Sequence, residues 1–198
     1  MRIYTYIIMA CLATGFAVAQ TPSAKPFVLG YTEEIQSAEL KEKRILNIYL
    51  PDGYQQKDSV TYPVIYLLDG SADEDFIHVA KSIVVGIANV DRKRDFTYPT
   101  TIASDKKQFP TTGGSAAFIN FVEKEVQPFI QNKYKGRKQG TLIGQSLGGL
   151  LATEILLKKP VLFNRYIIIS PSLWWDNGSL LNNISSKFEK GITHKTAV

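Results

Sequence analysis

One hexapeptide constrains this chain more than any other feature: Gly144-Gln145-Ser146-Leu147-Gly148-Gly149. It follows the short β-branched run Thr141 to Gly144. It opens a helical pattern, Leu147 to Lys159, in which Leu150, Leu151, Ile155 and Leu156 recur at three-to-four spacing before Pro160. A serine on so sharp a strand-to-helix turn must take a strained backbone, and glycines flank it where a Cβ would strike neighbouring chain. The helix behind it offers free N–H groups and a positive dipole end to a developing oxyanion. In that context the hexapeptide predicts a nucleophile elbow with Ser146 as the nucleophile.

The segments around the elbow predict the sheet that carries it. Phe27 to Leu40 and Ile45 to Leu50 read as an N-terminal pair of strands closed by the turn Pro51-Asp52-Gly53-Tyr54. Val64 to Leu68, Ile83 to Ala88, Thr141 to Gly144 and Tyr166 to Ile169 are short, apolar and unalternated, as parallel strands buried on both faces are. A long helical pattern runs from Ser115 to Asn132. The fold class is therefore α/β: a mostly parallel central sheet with helices on both faces and an antiparallel N-terminal strand pair. Two places look short. Only residues 70–82 connect the strand at Leu68–Asp69 to the next, and Lys195-Thr196-Ala197-Val198 reads as a further strand barely begun.

A length of 198 residues suits one domain with one core. Ile3 to Val18 is almost wholly apolar after Arg2, and Ala17-Val18-Ala19 gives a small-x-small cleavage pattern, so residues 1–19 read as a secretory signal peptide and 20–198 as the domain. The apolar run is shorter than the roughly 20 residues a membrane span needs. Cys11, the one cysteine, lies inside it; a lipoprotein box there would leave too short an apolar region. The expected mature chain has no thiol, and a secreted or periplasmic location follows. The net charge of +5 is scattered and interrupted by acids, as in Asp91-Arg92-Lys93-Arg94-Asp95, so no nucleic-acid stripe is expected. Two scattered histidines offer no metal-ligand spacing, and no cofactor is implied.

An oxyanion hole needs two donors. The N–H of Leu147 is one, and Asp69-Gly70-Ser71, after Val64 to Leu68, offers the Ser71 N–H as the other, with Gly70 permitting close approach. A plain Asp-Gly turn is the competing account of that stretch.

From here the chain resembles the esterase family that includes esterase D, enterochelin-type siderophore esterases and feruloyl esterases. The resemblance rests on Leu50 to Tyr54, Tyr62 to Gly70, Val85-Gly86-Ile87, Asp91 to Asp95, the elbow, and Ser170 to Asp176. It implies an α/β-hydrolase fold and hydrolysis of a small-molecule carboxylic ester through an acyl-serine. It carries Ser146 as nucleophile and Leu147 and Ser71 as oxyanion donors. Gly70, Gln145, Arg92, Arg94, Trp174 and Trp175 are expected around the substrate, although the tryptophans could equally pack beneath the sheet edge.

The family's catalytic histidine follows a further strand. Of the two histidines here, His194 fits the serine–acid–histidine order. It precedes Lys195 to Val198, however, at the amino end of a strand about 17 Å long, whereas a catalytic pair must meet within about 3 Å. His78 follows a strand's carboxyl end, where an ordinary surface histidine is the commoner case. Asp176 sits at the correct edge but has no histidine to orient. The chain therefore reads as an esterase domain incomplete at its C-terminal end, weakly active by itself. A non-catalytic binding domain on the same fold and an acyltransferase remain open.

Overall fold

The computed structural model describes residues 30–57, 60–71 and 81–182. The expected signal peptide, His78, His194 and the strand at 195–198 lie outside the described residues. Six strands form one sheet: β1 Gly30–Gln36, β2 Lys43–Tyr49, β3 Val64–Leu68, β4 Ile83–Ile87, β5 Thr141–Gln145 and β6 Arg165–Ile169. Their order is β1-β2-β4-β3-β5-β6. β1 and β2 pair antiparallel, β2 meets β4 antiparallel, and β4, β3, β5 and β6 run parallel. The α/β reading and the antiparallel N-terminal pair hold, with strand ends shifted by a few residues.

Side chains alternate across a strand, so the register sorts the sheet into two faces. Leu46, Ile48, Val64, Tyr66, Leu68, Ile83, Val85, Ile87 and Leu142 share one face and are all buried in the main core. Phe96 of α1 (Arg92–Phe96), Phe118, Ile119 and Phe121 of α3 (Ser115–Phe121), Ile130 of α4 (Gln127–Tyr134), and Leu151 and Ile155 of α5 (Leu147–Lys158) pack there. A fifth helix, α2 (Ala103–Gln108), buries nothing. The register partners Leu67, Ile143 and Ile167 lie on the opposite face. On that face Ile167 and Ile169 of β6 are 47% and 44% exposed, so β6 is not buried on both sides as its apolar run suggests. Among the described strands β5 is its neighbour.

Three local departures have physical causes. The long helix predicted from Ser115 is continuous to Tyr134 but passes through a π turn at Val122–Val126. There the Gln127 N–H donates to the Val122 carbonyl, five residues back, and Pro128 has no N–H to restore the regular pattern. The segment read as a loop, Arg92 to Arg94, is instead helix α1, started by the Asp91 side chain accepting from the Arg94 N–H. After β6, Trp175–Leu181 forms a 3-10 turn in which Asp176, Asn177 and Gly178 take left-handed φ angles of 50°, 52° and 71°.

Helix α1 is pinned to β2 by charges. Arg44, fully buried, donates to Asp95 at 2.7 Å, to Glu42 at 2.9 Å and to the Ala88 carbonyl at 3.1 Å. Arg94 closes the network, donating to Asp95 at 2.8 Å and to both Glu42 oxygens at 2.5 and 3.0 Å. The Arg44 guanidinium lies 5.3 and 5.6 Å from the rings of Phe118 and Phe121. Removing one member of such a network strands a buried charge, at a cost of about 3–5 kcal/mol. Arg44→Gln is expected to lower unfolding stability by that amount in urea denaturation, while a loss under 1 kcal/mol would show that the network is dispensable.

Candidate active site

Ser146 stands between the end of β5 and the start of α5 with φ 55° and ψ −116°, a conformation that L side chains rarely adopt. The neighbouring glycines explain how the turn closes. A Cβ on Gly144 would lie 2.3 Å from the Gly148 carbonyl oxygen, so strand and helix can approach this closely only without it. Three backbone bonds hold the turn. The Ser146 N–H donates to Ile169 O at 3.1 Å, and the Ser146 carbonyl accepts from Leu150 N and Ser172 N, each at 2.9 Å. The elbow is thereby tied both to its own helix and to the chain leaving β6.

Around Ser146 opens a cleft of about 610 Å³ lined by Leu67, Leu68, Asp69, Ser71, Asn89, Val90, Arg92, Ile143, Gln145, Ser146 and Ile169. It sits at the carboxyl ends of the parallel strands, where α/β sheets bind ligands. Leu67 and Ile143 are register partners, and with Ile169 they bring the second face of the sheet to the cleft as an apolar floor. Opposite them Asp69, at φ 64°, receives Arg92 in two bonds, Nε to Oδ1 at 2.5 Å and Nη2 to Oδ2 at 2.9 Å. Asn89 Nδ2 donates to the same Oδ1 at 2.5 Å. Arg92 Nη2 also lies 3.4 Å from the Gln145 carbonyl, so one side chain ties together the ends of β3 and β5.

Helix geometry leaves the first N–H groups of α5, from Leu147 onward, without intrahelical acceptors. Ser71 lines the same cleft, but its N–H donates to the Asp69 carbonyl at 2.9 Å. Gln145 and Arg92 also line the cleft.

Four expected contacts fall elsewhere. Gly70 serves the sheet instead: a Cβ there would sit 2.2 Å from Gly86 Cα, and its carbonyl accepts from Asn47 Nδ2 at 2.9 Å. Arg94 turns away into the Glu42–Asp95 network. Trp175 is 2% exposed and packs with Tyr98, Leu150 and Leu180, its Nε1 donating to the Tyr98 carbonyl at 2.9 Å. Trp174 is 67% exposed and does not line the cleft. Asp176 is also structural. Burial pushes its carboxyl up, but hydrogen bonds from Ser179, Thr101 and Thr100 outweigh this and hold it at about 2.

Sequence reasoning missed Ser172. It is buried, and its Oγ lies 3.3 Å from Ser146 Oγ. Among the described residues this is the side-chain contact of the Ser146 hydroxyl. It is a neutral partner that can position the oxygen but cannot take its proton at neutral pH. Nor do the described residues include a group of three or more His, Cys, Asp or Glu side chains able to hold a metal.

The profile of the family described as "Putative esterase" matches residues 37–195. Ferri-bacillibactin esterase BesA of Bacillus subtilis is 31% identical over 186 aligned positions, covering 80% of this chain and 64% of that protein. Siderophore triacetylfusarinine C esterase of Aspergillus fumigatus is 31% identical over 156 positions, covering 67% and 52%. Among solved structures, an IroE-like serine hydrolase from Shewanella oneidensis superposes with TM-score 0.71 at 33% identity, covering 82% of this chain and 57% of that one. The BES protein of Bacillus cereus superposes at 0.73 with 28% identity, covering 88% and 74%. The chain thus spans less than two thirds of the length of each of these two curated relatives.

The Asp176 carboxyl gives a pH-dependent outcome. Its folded value, about 2, lies below the ordinary 3.8, so its contribution to stability is complete above pH 4 and is lost as pH falls through 2. Asp176→Asn should therefore flatten the decline of the urea midpoint between pH 4 and pH 2. A decline of unchanged steepness would show that Asp176 does not drive it.

Proposed function

The chain belongs to the esterase family, and from that membership we propose that it is a carboxylic ester hydrolase in which Ser146 is the nucleophile. The observation that carries this reading is the elbow itself: a serine held at φ 55° between β5 and α5, opening on a cleft at the strand ends. Ser146 Oγ attacks the ester carbonyl carbon and its proton passes to a base. The alkoxide leaves with a proton, and water then cleaves the acyl-serine to return Ser146 and a carboxylic acid. The Leu147 N–H donates to the oxyanion from the helix start. Ser71 supplies the second donor once its N–H leaves the Asp69 carbonyl. Gln145 and Arg92 line the route of the substrate.

The names of the relatives, a ferri-bacillibactin esterase and a triacetylfusarinine C esterase, support siderophore esters as the substrate class. Residues 1–19 serve as a signal peptide cleaved after Ala19, which places the protein in the periplasm or outside the cell; the apolar run Ile3 to Val18 supports this. No helix among the described residues is long and apolar enough to cross a membrane.

The proton acceptor decides the rate. His78 and His194 lie outside the described residues, and the described ones place only Ser172 against the hydroxyl. A serine with an oxyanion hole but no base retains about 10³–10⁴-fold acceleration over water. On p-nitrophenyl acetate the 198-residue chain should release p-nitrophenol slowly, and Ser146→Ala should lower that release by the share that passes through an acyl-serine. Equal rates in the two proteins would overturn the esterase reading in favour of a non-catalytic domain. A fast, Ser146-dependent rate would trace a base to His78 or His194, separable by substituting each.

A further inference from the structure

Among the described residues the charges that line the cleft are one acid and one base, Asp69 and Arg92, and they already face each other. We propose that Asp69 sets the acyl preference of the site. By neutralising Arg92 in place, it makes the cleft select uncharged acyl groups over carboxylate-bearing ones. This rests on the reading of the cleft as the ester site and names the substrate chemistry that such a site takes.

An arginine at a pocket mouth ordinarily serves as an anion receptor, because its planar fork accepts a carboxylate bidentately. Here that fork is occupied. Nε and Nη2 are spent on the two oxygens of Asp69, and Nη2 is shared with the Gln145 carbonyl. Asn89 holds the carboxylate from its other side. An incoming anion would have to displace a carboxylate fixed by three bonds, or bind beside it against its charge. The remaining Nη1 can still donate two hydrogen bonds, so carbonyl, ether or hydroxyl oxygens are the polar groups the pair accommodates. The floor of Leu67, Val90, Ile143 and Ile169 suits an aliphatic or aromatic body. The ligand class is an uncharged acyl group with an apolar body and one or two hydrogen-bond acceptors.

Asp69 is also placed to act through the elbow: a Cβ on Gly148 would lie 3.2 Å from Asp69 Oδ2. The carboxylate thus borders the start of α5, where an acyl group meeting Ser146 must pass.

The test reads binding and so does not depend on turnover. The 198-residue chain, labelled with nitrogen-15, is titrated with benzamide and with benzoate, and amide shifts of Ser71, Asn89 and Gln145 report the cleft. The wild-type chain should bind benzamide at least as tightly as benzoate. Asp69→Asn frees Arg92 and should move the ratio of dissociation constants toward benzoate by about fivefold or more, the size of a partly screened charge contact. Arg92→Gln leaves Asp69 unopposed and should move the ratio the other way; should Asp69→Asn fail to fold, this variant decides alone. Tighter benzoate binding by the wild type, a ratio unmoved by substitution, or no shift at the cleft with either ligand overturns the proposal. Ser146→Ala should keep the wild-type ratio, so failure of the hydrolase reading and failure of this one are read separately.

Discussion

The close approach of β5 to α5 is the constraint on which the rest of the site depends. Gly144 and the Gly148 carbonyl pass at a distance that no side chain at position 144 permits, and the turn between them forces Ser146 into positive φ. That strain persists because the surroundings over-determine it. The Ser146 N–H is held by the last residue of β6, and its carbonyl by α5 and by Ser172. The same bonds draw the Ser170-Pro171-Ser172 segment under the elbow, which brings the Ser172 hydroxyl beside that of Ser146. Backbone geometry at one turn therefore places the hydroxyl, the helix N-terminus behind it and its buried neighbour.

The opposite wall of the cleft is positioned from further away. Arg44 on β2 and Arg94 on α1 share Glu42 and Asp95, which locks α1 against the sheet. With the helix fixed, Arg92 projects across the strand ends to Asp69 and Gln145. Gly70 and Gly86 allow the chain leaving β3 to lie against β4, and this sets where Asp69 turns. Two charged pairs on one short helix thus do different things. The pair at Arg94 fixes the helix, and the pair at Arg92 shapes what the cleft presents.

How much of this was legible in the sequence varies with the range of the interaction. The elbow was legible because its signal is local: a β-branched run, two flanking glycines and an amphipathic helix in a row. The strands of the parallel sheet were legible for the same reason. Ile167 and Ile169 misled, since an apolar edge strand has the composition of a central one and differs only in what lies beside it. The resemblance puts Arg94 and Trp175 around the substrate, and neither lines the cleft. Whether a side chain on a short helix or turn faces the cleft or the core depends on Glu42 or Tyr98, far away in sequence. The π turn followed from Pro128, a signal that was present but unused. Ser172 carried no local mark at all; only the fold sets it against Ser146.

The central claim is that the strained serine of the elbow is the reactive one. Treating the chain with excess fluorophosphonate and mapping the modified peptide by mass spectrometry tests it most directly, because the reagent marks an activated serine covalently and needs no turnover. The account predicts a single phosphonyl adduct on Ser146. No adduct, or an adduct on Ser71 or Ser172 with Ser146 unmodified, would contradict it.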